Sequence, residues 1–280
     1  MMSGGTRWLF VGLVLAASIA AQRGRVEAVR DASLSRPARD ALARARGLSD
    51  SIVGKHGPAR LHAIEVAATS YGRCAEMFER EPLAAALAAW SAAELWRRHG
   101  SLLLAEREYL RAVRHDAARY EQRGLLAAAD MQRRQRRLEV AMKTYEAADR
   151  CDPRTTRAQL ARLWVARILL AQGKVDRAIC RFQVALESAA SPRQVIDAGD
   201  HLAKAWVKKA DFVRAAQVIR HVERVVRDHA DGDPELAARL QRASQRMTAR
   251  RALRRALDEQ YERGADAARL DEHRRRTRKS

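Results

Sequence analysis

Apolar residues recur at helical spacing from about residue 37 to about residue 263, and no sustained period-two run of Val, Ile and Thr interrupts them. That periodicity predicts amphipathic helices and no strand. Short polar breaks punctuate the pattern at KHGP (55–58), HGS (99–101), QRR (135–137), QGK (172–174) and KAD (209–211). The helices therefore come in pairs joined by tight turns.

The pairs repeat. Ala105, Ala141, Ala178 and Ala215 are spaced by 36, 37 and 37 residues, and other positions keep the same frame. One column holds Ala93, Ala129, Ala166 and Ala203, and another holds Trp96, Gln132, Leu169 and Trp206. A fourth runs through Tyr109, Tyr145, Phe182 and Ile219, and a fifth through Ala112, Ala148, Ala185 and Val222. Small residues are needed where two helices cross closely, and large ones fill the space beside the crossing. A lone hairpin cannot bury its apolar face, so neighbouring units stack and share a core. The six prolines, Pro37, Pro58, Pro82, Pro153, Pro192 and Pro234, are each compatible with a first helical turn, where the missing N–H costs nothing. Pro153, Pro192 and Pro234 are each expected to open a new repeat.

This pattern resembles the tetratricopeptide repeat family over roughly residues 83 to 233, with Ala141, Tyr145, Ala148 and Pro153 the best match. It departs from the family in a period two or three residues longer than the usual 34 or so. It also has Ala93, Ala129, Ala166 and Ala203 where the family has Gly. The resemblance implies an all-α fold, a right-handed α-α superhelix of about four to six helical hairpins. The domain reading is a signal peptide (1–21), a linker (22–36), a degenerate N-terminal hairpin (37–81), four repeats (82–233), a C-terminal capping helix (234–264) and a basic tail (265–280).

In the family the first helix of each unit lines a concave groove. Carried over by column, that face receives Trp90, Glu94, Arg97 and Arg98 with Leu87, then Asp130, Arg133 and Arg134 with Leu126. Trp164 and Arg167 follow with Leu163 and Leu170, then His201, Lys204 and Lys208 with Asp200 and Val207. Arg97-Arg98 and Arg133-Arg134 begin a basic ladder suited to carboxylates or phosphates. The same arginines sit at predicted helix ends, where they would complement the helix dipole. Both readings stay open.

Composition adds less. The net charge is +20, carried mostly by Arg. Charge this diffuse solvates helices, or attracts a polyanion. Asn is absent, which excludes an N-glycosylation acceptor and the usual form of the family's chaperone-tail clamp. Cys74, Cys151 and Cys180 are widely spaced and form no CxxC; buried thiols are expected. The eight histidines show no HExxH or other metal spacing, and there is no GxSxG or P-loop. No cofactor and no catalysis are expected.

At the N-terminus, Arg7 precedes an apolar core from Trp8 to Ala17 and small residues at Ser18 and Ala20. That is the shape of a secretory signal cleaved near residues 20–21, so export to the periplasm or beyond is expected. An N-terminal membrane anchor is the alternative. The functional expectation is a scaffold or adaptor of the cell envelope or secreted space, holding a protein or peptide partner, acidic by preference. The rival is a polyanion binder, with nucleic acid the less favoured ligand. Self-association of open array ends is a third reading.

Overall fold

The computed structural model describes residues 33–229 continuously, and isolated helical positions from Glu235 to Gly264. The signal segment, most of the linker, Pro234, most of the capping-helix region and the basic tail lie outside the described residues. Among the described residues every regular element is a helix.

The chain forms two compact units, residues 1–135 and 136–280. In the first unit lie α1 (Arg36–Asp50), α2 (Gly57–Met77), α3 (Pro82–His99), α4 (Leu102–His115) and α5 (Ala117–Arg134). In the second lie α6 (Leu138–Cys151), α7 (Thr156–Ala171), α8 (Val175–Glu187), α9 (Pro192–Lys208) and α10 (Phe212–His229). Within each unit every helix packs on the next in sequence. First helices of successive hairpins also touch, α1 against α3 and α7 against α9.

The repeated columns are the core. Ala93, Ala129, Ala166, Ala203, Ala105, Ala141, Ala178 and Ala215 are all 0% exposed. Tyr109, Tyr145, Phe182 and Ile219 are buried beside them, as are Trp96, Gln132, Leu169 and Trp206. The crossings tolerate no extra atoms: a methyl group on Gly124 would lie 2.4 Å from Val113 Cγ2 and 3.3 Å from the Tyr109 carbonyl oxygen.

Capping explains where helices begin. Ser35, Asp116, Thr155 and Ser191 accept from the backbone N–H of Ala38, Arg119, Ala158 and Gln194, satisfying donors the first turn leaves open. Pro37, Pro58, Pro82 and Pro192 sit in first turns. Pro153 does not. It lies in the turn before α7, where Thr155 is the cap and Thr156 the first helical residue. Proline's fixed φ suits a turn as well as a first helical turn.

The turns inside the repeats share one backbone device. Gly100, Arg136, Gly173 and Ala210 have φ of 93°, 64°, 78° and 63°. They are spaced by 36, 37 and 37 residues. Ser101, Lys174 and Asp211 then donate back to the carbonyls of Trp96, Leu169 and Trp206 at 3.0–3.1 Å, closing Schellman-type ends. Glycine adopts this left-handed conformation without strain, whereas Arg136 and Ala210 crowd Cβ against the carbonyl. Arg136→Gly and Ala210→Gly are therefore expected to stabilise by about 0.5–1 kcal/mol each, and Gly173→Ala to destabilise by about 1 kcal/mol. Urea midpoints of the three variants check this; a loss of stability in both glycine variants would refute it.

Cysteine placement differs from expectation. Cys74 is buried, but Cys151 and Cys180 are exposed. Cys151 ends α6, where its thiol reaches the Ala147 carbonyl at 3.3 Å, and Cys180 faces outward from α8. Neither belongs to a repeated core column.

Candidate functional site

In the first unit the predicted face lies on α3 and α5. Trp90 is partly buried, edge-on to Tyr109 with ring centroids 5.0 Å apart and tilted against Tyr120 at 5.4 Å. The Arg123 guanidinium lies 3.7 Å from the Tyr120 centroid and 4.7 Å from that of Trp90. Trp90 is thus as much a core residue as a foothold, and Arg123 lies over its ring.

One turn further along α3, Glu94 is shared. The Tyr109 hydroxyl donates to it at 2.5 Å, and Arg97 donates at 2.7 and 3.2 Å. Burial, with the carboxylate beside it, pushes the Tyr109 hydroxyl pKa well up, so it stays a donor. The hydrogen bond from Arg97 to Glu94 raises the Arg97 pKa in turn. On α5, Arg133 pairs with Asp130 in the same i,i+3 register. Arg97, Arg98, Arg133 and Arg134 all occupy last turns of their helices, where cations complement the dipole. Arg98 and Arg134 are exposed. The first arginine of each pair has a carboxylate on its own helix, so this half of the ladder is locally neutralised.

The second unit presents α7 and α9. Trp164 stacks on Tyr145 with centroids 6.3 Å apart and planes 11° from parallel, and the Arg167 guanidinium covers the indole at 4.0 Å. His201 stacks on Phe182 at 5.6 Å and 16°. Lys204 pairs with Asp200 at 2.6 Å, and Lys208 donates to the Leu170 carbonyl at 2.9 Å, tying the end of α9 to the end of α7. Burial first, and then the charges of Arg167 and Lys204, push the His201 pKa down to about 4. Hence Arg167, His201 and Lys204 sense one another on one face.

Aligned by repeat, Glu94, Asp130, Arg167 and Lys204 occupy one column. It is acidic in the first unit and basic in the second. The i,i+3 pairs were readable from spacing alone. Arg123 was not singled out by sequence, although Tyr120 three residues earlier on the same helix is the signal that would have found it. Among the described residues no group of His, Cys, Asp and Glu is arranged to hold a metal ion, and no helix is long and apolar enough to cross a membrane.

No protein-family model matches the chain, and no curated protein matches it in sequence. Solved structures do. One is YrrB, described as a TPR protein with an unusual peptide-binding site, at 14% identity over 66% of this chain and 86% of that one, with a TM-score of 0.44. Another is BtubC of P. vanneervenii, at 19% identity over 70% and 90%, with a TM-score of 0.49. A third is TTC0263, a thermophilic TPR protein of Thermus thermophilus, at 18% identity over 74% and 98%, with a TM-score of 0.40. Likeness at this level concerns fold alone. By its own recurring hairpins, buried small-residue columns and repeated left-handed turns, the chain is an all-α helical repeat protein whose pattern resembles that of tetratricopeptide repeats.

Proposed function

We propose that this chain is a non-enzymatic scaffold whose first-helix faces hold a protein or peptide partner, with the charge-selective part of the site in the second unit. The observation that carries this reading is the α7–α9 face, where Arg167 covers the partly exposed Trp164 and Lys204 and Lys208 follow on the adjacent first helix. An indole edge beside several cations suits an acidic peptide: the aromatic supplies contact area, and the cations supply charge-assisted hydrogen bonds. In the first unit the same column holds the carboxylates Glu94 and Asp130 in place of Arg167 and Lys204, so that unit attracts an acidic ligand less, although Lys204 too has a carboxylate partner, Asp200. The cell-envelope setting rests on the sequence of residues 1–21.

The test compares tagged wild-type chain with Arg167→Ala/Lys204→Ala/Lys208→Ala and with Arg97→Ala/Arg133→Ala in pull-downs from envelope extract at low and high salt. A discrete protein partner should survive high salt, fall at least tenfold in the triple variant and change little in the double. Capture only of nucleic acid or anionic polymer, weakening log-linearly with salt, would replace this reading with polyanion binding.

A further inference from the structure

We propose that the outer face of the α1–α2 hairpin is a second docking surface, which seats one amphipathic helix bearing acidic residues from a partner protein. This proposal is independent of the first-helix faces described above, because it rests on the first hairpin alone.

The first unit shows what flanks a hairpin in this array. The α3–α4 hairpin has α2 packed against α3 and α5 packed against α4, so both flanks are filled by helices. The α1–α2 hairpin has α3 on one side. On another it leaves an open groove of about 570 Å³, lined by residues of α1 and α2 alone. The groove is built from two helical stripes. Ala41, Arg44 and Leu48 run along α1 at i, i+3 and i+7, and Val66, Arg73 and Met77 run along α2 at i, i+7 and i+11. With His62, which extends the α2 stripe, the seat is about 22 Å long at 1.5 Å per residue, which is four turns of an occupying helix.

Apolar side chains are left uncovered there. Leu48, Val66 and Met77 are 37%, 40% and 70% exposed. A single exposed Leu or Val needs no explanation, but three in one groove between two helices match helix-in-groove recognition through i, i+3, i+4 and i+7 anchors. Charge selects the occupant. Arg44 and Arg73 stand on opposite walls, and Arg44 is close enough to act electrostatically on Cys74 in the floor. Glu65 is the one carboxylate in the lining. A helix with Glu or Asp flanking its apolar stripe gains from both arginines, whereas one flanked by Lys is repelled.

The test uses the full chain and two fluorescein-labelled 16-residue peptides with the same Leu stripe, one flanked by Glu and one by Lys, read by fluorescence polarisation. The acidic peptide is expected to bind at least tenfold more tightly than the basic one. Val66→Asp should reduce its affinity at least tenfold, and Arg44→Ala/Arg73→Ala should close most of the gap between the peptides. Met77→Asp, at a far more exposed position, repeats the test should Val66→Asp fail to fold. Several results would overturn the proposal: equal affinity for both peptides, no binding by the full chain, or binding that ignores the aspartate variants. Binding seen only when residues 1–32 are deleted would give the groove to this chain's own N-terminal segment. A dimer in sedimentation that Val66→Asp dissociates would give it to a second copy.

Discussion

Phe182→Ala is expected to lower the stability of the second unit by about 3–5 kcal/mol, the largest effect of any single substitution considered for this chain. Phe182 is 0% exposed, on the inner side of α8, where α7 and α9 both pack. Truncation removes the transfer energy of the ring and leaves a cavity that Ala178 and Ala185 on the same helix cannot fill. It also strips His201 of the ring it stacks on. Phe182→Leu keeps most of the volume and should cost about 1–1.5 kcal/mol. Val184→Ala, two residues on but 49% exposed, should stay within about 0.5 kcal/mol. Urea denaturation followed by tryptophan fluorescence gives the three values, and hydrogen exchange across α7 to α9 localises them. Similar losses for Phe182→Ala and Val184→Ala would show that the aromatic column does not hold the second unit together.

That column was legible in the sequence because its physics is local to the repeat. A helix crossing with room for no more than a methyl group admits only Ala or Gly, so Ala93, Ala129, Ala166 and Ala203 announce themselves at fixed spacing. The turns were half legible. Gly100 and Gly173 mark a left-handed residue openly, but Arg136 and Ala210 adopt the same φ without the residue that signals it. Pro153 misleads for a related reason: its fixed φ serves a turn and a first helical turn alike, and the capping hydroxyl of Thr155 decides between them.

The candidate face was legible only along each helix. Pairing Glu94 with Arg97, or Asp130 with Arg133, needs nothing beyond i,i+3 spacing. What crosses between helices was not. Arg123 reaches Trp90 from another hairpin, and Lys208 reaches the Leu170 carbonyl 38 residues away. Those contacts depend on the offset between neighbouring hairpins, which periodicity does not set. The α1–α2 groove was hidden for the same reason: Leu48 and Val66 read as ordinary apolar positions until the packing of α1 on α2 leaves both of them exposed.

Between about pH 6.5 and pH 4 the second unit is expected to lose about 2 kcal/mol of stability through His201 alone. The sign follows from where the proton goes. The folded-state pKa is pushed down to about 4, below the ordinary 6.5. Above pH 6.5 the ring is neutral in folded and unfolded chains, so it contributes nothing to pH dependence. As pH falls below 6.5 the unfolded chain takes up a proton that the folded chain refuses, and stability drops. Near pH 4 the folded chain protonates as well, and the loss levels off. A shift of that size corresponds to about 3 kcal/mol, reduced here because the ring keeps some access to water. The proton is opposed by burial, with Arg167 of α7 and Lys204 of α9, and favoured by Asp200 and Asp197 of α9. Other groups titrate in this range, so the measurement is a difference: urea midpoints at pH 7.5 and 4.5 for wild type and for His201→Phe, which preserves an aromatic stack on Phe182. The variant should lose less stability on acidification than wild type by about 2 kcal/mol. Equal losses would mean that His201 protonates freely in the folded chain and that the α7–α9 face is wetter than its packing implies.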